Sequence, residues 1–453
     1  MRLLLVDCIG DARSYLENKY PAIGLAYLAS HLRESPLKAD IEIAASNVEE
    51  AIVEFRPDVV GISSVSQNFN KAREIASICK DIGSRVVVGG IHISSLPSCL
   101  NRNMDIGVIG EGEETFLQLL RLYDGTWDAK VLHKVEGIVF HSGNALEVTP
   151  ARPLVEPLDR LPFPARDLLR NEGNEAYMFT SRGCPYRCIF CASSRFWLKW
   201  RRFSAQYVVN EIKDLLRCYP HVRTIKMFDD LFIADRKRLE QIAELLRSEG
   251  LHKRVNLLVS ATANLIDDEI VGLLKQMNVT EVGIGLESGC ERTLAFLKQG
   301  VTCVQDNANA IRKLKDSGIW VTGTFVIGSP KETREDIMET LNFIRKTPLD
   351  KASVFILTPY PNTPLWDILT DKGLFSRDTL DSVDWSIFDQ CFSTTHYRTP
   401  TVSENLSQQE LVDLFKLFRR EERLISAKWG VKLVFRQPSK VVNYMVRRMK
   451  RLL

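Results

Sequence analysis

Three cysteines at C-x3-C-x2-C spacing, Cys184, Cys188 and Cys191, are the residues of this 453-residue chain best placed to do chemistry. They follow an apolar run, Tyr177-Met-Phe-Thr180, and a turn at Arg182-Gly183. A short loop carrying thiolates at such spacing folds back and turns its sulfurs toward one metal centre. Structural zinc asks for four protein ligands, and no fourth Cys or His lies close by in the sequence. Three ligands suit a [4Fe–4S] cluster with one iron left free to bind something else. The alternatives are an incomplete zinc site and three buried thiols. The sequence that follows the loop supports the cluster.

Apolar runs recur there at Tyr177–Ser181, Thr224–Phe228, Val255–Ser260, Glu281–Leu286, Trp320–Gly328 and Ala352–Leu357. Between them lie helical stripes such as Val208, Val209, Ile212, Leu215 and Leu216. Six strand-then-helix units predict a partial (β/α)6 barrel with its chemistry at the C-terminal ends of the strands. Polar motifs stand at those ends: Asp229-Asp230, Ser260-Ala-Thr262-Ala-Asn264, Gly283-Ile-Gly285-Leu-Glu287-Ser288-Gly289, Gly328-Ser-Pro330-Lys-Glu332, and Thr358-Pro-Tyr360-Pro-Asn-Thr363-Pro. Paired carboxylates suit a metal or a cation; the bland alternative is helix capping, as for Asp235. Glu287 can accept from hydroxyls or an ammonium. Pro330 and Glu332 also fit ordinary helix-start chemistry.

The cysteine motif, with Phe190 before its third cysteine and β/α units after it, resembles the radical S-adenosylmethionine (radical SAM) superfamily. The resemblance implies that Cys184, Cys188 and Cys191 hold a [4Fe–4S] cluster whose free iron chelates S-adenosylmethionine. It implies a 5′-deoxyadenosyl radical that abstracts hydrogen from substrate. It places S-adenosylmethionine against Glu287 and the Asp229-Asp230 turn, with Phe190 on the adenine and Ser260, Ser288 and Gly328 nearby. Thr262 stands where related proteins often have arginine.

Ahead of the barrel, five short apolar runs alternate with helical patterns: Arg2–Asp7, Asp40–Ala44, Asp58–Ser63, Arg85–Gly89 and Asp105–Gly110. Such runs predict a doubly wound parallel sheet, flavodoxin-like, that binds its ligand beyond the strands' carboxyl ends. Those ends are rich in glycine and serine: Ser63-Ser64, Gly89-Gly90-Ile-His92 and Gly110-Glu111-Gly112-Glu113. They resemble the cobalamin-binding domain that precedes many radical SAM domains. Ser63, Ser64, Gly89, Gly90, Glu111 and Gly112 would then line cobalamin. The stretch Asp7-Cys-Ile-Gly10-Asp-Ala lacks the histidine of Asp-x-His-x-x-Gly, so the resemblance implies no protein histidine on cobalt. His92 reads as a packing or hydrogen-bonding group. A flavodoxin-like domain with another ligand, or none, is the alternative.

The expected divisions are a cobalamin-binding domain over 1–124, a proline-rich linker over 125–172, the barrel over 173–374, and a mainly helical region over 375–453. Within the linker, Gly137–Phe140 reads as a short strand closed by a turn at Ser142-Gly143-Asn144. In the last region Trp385 and Phe388 to Tyr397 suggest a lid or substrate wall. Leu411, Leu414, Phe415 and Phe418 mark an amphipathic helix. Lys428, Lys432, Arg436, Lys440, Arg447, Arg448, Lys450 and Arg451 read as a solvated basic face, with a membrane surface as the alternative.

With 45% apolar and 26% charged residues the chain reads as a soluble globular protein of two or three domains. Its net charge of +3 gives no reason to expect nucleic acid. No signal segment or membrane span is read, and Cys8, Cys79, Cys99, Cys218, Cys290, Cys303 and Cys391 are scattered, so a reduced, cytoplasmic setting is expected. The resemblance as a whole implies methylation of an unactivated carbon, with methylcobalamin as methyl donor. A non-methylating cyclisation, ring contraction or oxidation is the alternative, and a non-catalytic cobalamin sensor a third. The substrate would be a small molecule or natural-product intermediate, and the electron donor a flavodoxin or ferredoxin. Hydrogen abstraction needs no acid–base pair, so no protein group is assigned as catalytic.

Overall fold

The computed structural model describes residues 1–8, 21–373, 375, 380, 382–388 and 400–436, with 428–436 as backbone. The stretch after Cys8 that lacks the histidine of Asp-x-His-x-x-Gly, the segment 389–399 with Cys391, and the basic residues Lys440, Arg447, Arg448, Lys450 and Arg451 lie outside the described residues, as do the side chains of Lys428, Lys432 and Arg436.

The first sheet has strands β1 (Arg2–Asp7), β2 (Asp40–Ala44), β3 (Val59–Ser63), β4 (Arg85–Gly89) and β5 (Ile106–Val108), parallel in the order β2-β1-β3-β4-β5. Leu3, Leu4, Leu5 and Val6 are fully buried because both faces are covered. Leu3 and Leu5 pack with Leu25, Ala29 and Phe116. Leu4 and Val6 pack with Ile52, Phe69 and Ile75. The strand order reverses between β1 and β3, which is where such sheets open a ligand crevice.

The sheet does not stop at residue 124. A hairpin, β6 (Ile138–Ser142) and β7 (Ala145–Val148), adds antiparallel to β5 inside the stretch expected as linker. The reason is an edge: three-residue β5 would otherwise leave unpaired backbone groups at the side of the sheet.

The second sheet runs β8 (Glu175–Met178), β11 (Thr224–Met227), β12 (Asn256–Ala261), β13 (Val279–Glu287), β14 (Trp320–Ile327) and β15 (Lys351–Ile356), parallel and in sequential order, giving the expected partial (β/α)6 barrel. Along β14, buried Val321, Phe325 and Ile327 alternate with half-buried residues of the opposite face. Between β8 and β11, a two-stranded ribbon of β9 (Ser181–Arg182) and β10 (Arg201–Arg202) closes the cysteine loop at its foot. Caps fix the helix starts: Ser204, Asp235, Asp267 and Thr363 each accept a backbone N–H of the first turn.

The C-terminal region closes over both units. Trp385 and Phe388 pack with Phe69 and Trp366. Helix Gln408–Arg436 buries the predicted stripe of Leu411, Leu414, Phe415 and Phe418, and its buried Glu422 accepts the Val354 N–H of β15 at 2.6 Å. Among the described residues no helix is long and apolar enough to cross a membrane.

Candidate functional site

The cysteine loop leaves β9 through Gly183, whose φ of +83° suits glycine; a methyl group there would meet the Lys199 carbonyl at 2.9 Å. Cys184, Cys188 and Cys191 are half-buried. Burial pushes all three thiols up, Cys184 to about 11. Backbone bonds Cys191 N–Cys188 O and Ile189 N–Leu297 O, each 3.2 Å, hold the loop's shape. Tyr186 accepts from Asn264 Nδ2 at 2.9 Å, tying the loop to the end of β12. Phe190 is half-buried and packs into the core shared by the two sheets.

Among the described residues no three His, Cys, Asp or Glu side chains converge as ligands of one ion. Structural zinc takes four protein ligands, whereas a four-iron cluster bonds each thiolate to a different iron, so three half-buried sulfurs on one pinned loop match it with one iron left open. A cluster's positive irons would also oppose the burial that raises the thiols.

Glu287 ends β13 with φ of +60°, rare for a residue with a side chain, at a break in register with β14. Its carboxylate folds back over Gly285, where a methyl group would collide with it. It is 7% exposed, and burial raises it while Lys298 opposes. Lys298 Nζ, itself buried, lies 3.8 Å away. Asp230 is exposed and accepts from Ser193 Oγ of the cysteine loop at 2.5 Å.

Other expected site residues are committed elsewhere. Asp229 is buried, and its two oxygens accept from Thr180 N (2.6 Å), Thr180 Oγ1 (2.5 Å) and Ser181 Oγ (2.7 Å), which ties β11 to the segment before the cysteines. Ser288 is fully buried with its Oγ 2.9 Å from Thr340 Oγ1. Ser260 is half-buried on β12 opposite Gly283. Gly328 donates its N–H to Glu332 at 2.6 Å. Glu332 lies before helix Arg334–Lys346 rather than in its first turn, because Thr333 and Asp336 form the capping pair. Thr262 Oγ1 bonds Asn264 at 3.0 Å. The cation near Glu287 is Lys298, which the sequence reading passed over; its position in the last turn of the helix after Glu-Ser-Gly was the available signal.

The crevice of the first sheet opens at the β1/β3 reversal. Gly61, Ser63, Gly89, Gly90, Gly112 and Phe116 are among its lining residues. Gly90, at φ +99°, leaves no room for a methyl against the Ser64 carbonyl. Ser64 is 3% exposed and its Oγ has no partner among the described residues. A Cβ on Gly89 would approach nothing closer than 3.9 Å, so the space over that strand end is open. Ser64, expected to line the ligand, lies beneath Gly90 and outside the lining, whereas the glycine floor fits a large ligand held through backbone contacts. Phe196 and Trp197 of the cysteine loop also line the crevice. With them in place the void is about 170 Å³, below the roughly 300–1,000 Å³ of a drug-sized ligand's pocket. A ligand as large as cobalamin would therefore extend beyond this void. Glu111 lines the same crevice, but its carboxylate is taken by Arg182, Arg201 and the Val155 N–H. His92 lies fully buried outside the lining, its Nδ1 3.0 Å from Ser66 Oγ, and burial lowers it to about 3.

Two family models match the sequence: the B12 binding domain over residues 11–120 and the radical SAM superfamily over residues 178–344. An uncharacterized methyltransferase of Pyrococcus horikoshii is 32% identical over 406 residues, 85% of this chain and 86% of that protein. The anaerobic magnesium-protoporphyrin IX monomethyl ester cyclase of Rubrivivax gelatinosus is 28% identical over 386 residues, 79% of this chain and 68% of that protein. Among solved structures, the cobalamin-dependent S-adenosylmethionine radical enzyme OxsB with aqua-cobalamin bound has the same fold, with a TM-score of 0.71 over 100% of this chain and 75% of that chain at 18% identity.

Proposed function

The chain belongs to the radical SAM superfamily as a cobalamin-dependent member, and on that premise we propose that it methylates an unactivated carbon of a small-molecule or natural-product-intermediate substrate. The observation that carries the reading is the seam: the crevice of the first sheet is roofed by Phe196 and Trp197 of the loop that bears the three cysteines. Cofactors held on its two sides would face each other. When bound, they supply hydrogen removal from carbon and the methyl group, chemistry that belongs to them rather than to side chains.

The chain's own residues bind and orient. Cys184, Cys188 and Cys191 provide thiolates to the cluster. Glu287, held in an uncommon backbone conformation beside Lys298, presents a carboxylate to the amino group or ribose hydroxyls of S-adenosylmethionine. Asp230 stands ready for the same ligand, whereas Asp229 and Ser288 fix the strand ends. Ser63, Gly89, Gly90 and Gly112 let cobalamin approach backbone. Reducing electrons would come from a flavodoxin or ferredoxin.

A second reading keeps the same site and transfers no methyl; the cyclase relative favours it. The two are separated by anaerobic reconstitution with iron, sulfide and cobalamin, followed by product analysis. Methylation yields both 5′-deoxyadenosine and S-adenosylhomocysteine, whereas a cyclase yields the first alone. Failure of the reduced, reconstituted protein to cleave S-adenosylmethionine would sink both.

A further inference from the structure

The loop carrying the three cysteines leaves and returns through one point. Arg182 and Arg201 pair across the β9–β10 ribbon, so two guanidinium groups stand side by side where the loop begins and ends. They are 8% and 3% exposed. Two buried like charges at neighbouring positions repel, and each needs a carboxylate to be tolerated. Both receive one from the same short stretch of the other sheet's crevice. Glu111 accepts from Arg182 and from Arg201 Nη1 (2.9 Å) and Nη2 (3.1 Å), and Glu113 accepts from Arg182. Glu111 also takes the Val155 N–H at 2.7 Å, and Arg201 donates to the Val155 carbonyl at 2.7 Å. The Arg182 guanidinium lies over the rings of Tyr27, from the first unit, and Trp197, from the crevice roof.

One carboxylate thus joins three parts of the chain: the glycine-flanked rim of the crevice, the linker, and both feet of the cysteine loop. Its lone pairs are occupied by protein, which leaves it poorly suited to hold a ligand directly. A bidentate guanidinium contact fixes direction as well as distance.

We propose that Glu111, through Arg182 and Arg201, is a positioning residue that holds the cysteine trio at a fixed separation from the cobalamin crevice. This rests on the reading above that the crevice takes cobalamin and the trio takes the cluster. Glu113, which engages Arg182 alone, plays a lesser part.

The test uses the full chain, reconstituted with the [4Fe–4S] cluster and hydroxocobalamin. Both groups are paramagnetic after suitable reduction, so electron paramagnetic resonance reads the distance between them and its spread. Expected for Glu111→Gln are unchanged iron content and a cobalamin Kd within about threefold of the parent. The cluster–cobalt distance distribution should broaden, and kcat for S-adenosylmethionine cleavage should fall about tenfold at unchanged KM. A distance distribution like the parent's would overturn the inference. So would loss of cobalamin binding with the loop unchanged, since Glu111 would then be a direct contact. If Glu111→Gln does not retain iron, Arg201→Lys, which keeps the charge but not the two-pronged contact, carries the same test. A parent protein that binds no cobalamin overturns the proposed function and this inference together; a parent that binds it beside an unaltered variant overturns the inference alone.

Discussion

The crevice of the first sheet and the mouth of the second both stand at the carboxyl ends of parallel strands, but they are made of different materials. The crevice floor is Gly61, Gly89, Gly90 and Gly112, with Ser63 at a strand end and the lining carboxylates Glu111 and Glu113 committed to arginines. The barrel mouth presents Cys184, Cys188 and Cys191 with Glu287, Lys298 and Asp230 around them. A wide ligand is accommodated by removing side chains so that backbone can approach it. A small charged ligand and a metal cluster are held by placing charges and thiolates around them. The contrast makes different substitutions damaging in the two places.

The largest effect should come from Cys191→Ala, which removes a cluster ligand. Iron content should collapse and S-adenosylmethionine cleavage should fall by more than about a thousandfold, while cobalamin binding, measured by its optical spectrum, survives. Loss of both would show that the two regions are not separate sites. Next comes Glu287→Gln, which keeps the shape but removes the charge; affinity for S-adenosylmethionine, measured by titration, should drop roughly 10- to 100-fold. Gly285→Ala should do the same by displacing that carboxylate. Gly89→Ala sharpens the crevice side. The new methyl has room in the protein, so unfolding free energy should change by less than about 1 kcal/mol. Cobalamin affinity should still fall roughly tenfold if the ligand lies against that strand end; an unchanged Kd would remove Gly89 from the site.

How much could be read beforehand followed the range of the interactions. The strands were legible because each is an apolar run with period 2 or continuous burial, a local property; Arg2–Asp7 and Asp40–Ala44 keep their predicted bounds. The three cysteines and Glu287 stood out as candidates because spacing and neighbours carry them, and the structure places them on one loop and at one strand end. Asp229 was read as a ligand contact since a paired carboxylate looks the same whether it faces solvent or a strand; only the fold shows Thr180 and Ser181 bonded to it, 49 and 48 residues away. Glu111 suffered likewise: its partner Arg201 is 90 residues distant, and no local pattern predicts that pairing. The hairpin Ile138–Val148 was half-seen, because Gly137–Phe140 is strand-like while the second strand, Ala145–Val148, has no apolar run to announce it.

A last effect is read in stability rather than in binding, and it concerns one of two carboxylates that accept backbone N–H. Glu111 does so beside two arginines; Glu332 takes Gly328 N and Ser329 N, with Oε1 lacking a partner among the described residues. Burial pushes Glu332 up to about 7. The folded value exceeds the ordinary one, so the protonated form is favoured on folding. That contribution is whole below about pH 4.5 and is lost as pH rises through about 7, at most about 3 kcal/mol. Urea unfolding of Glu332→Gln should show a flatter stability profile between pH 5 and 7 than the parent, by roughly this amount or less. An identical profile would mean that Glu332 is not the group responsible.

The six-stranded sheet here does not pair β15 with β8, and β15 would otherwise finish it with bare amide and carbonyl groups, an invitation to a strand from another molecule. Glu422 answers one such amide, Val354 N, and its second oxygen is steadied by Arg419 at 2.8 Å. The long helix therefore covers this edge while Leu411, Leu414, Phe415 and Phe418 complete the core beneath it. Shortening the chain ahead of Gln408 should uncover both at once, so stability and solubility are expected to fall together.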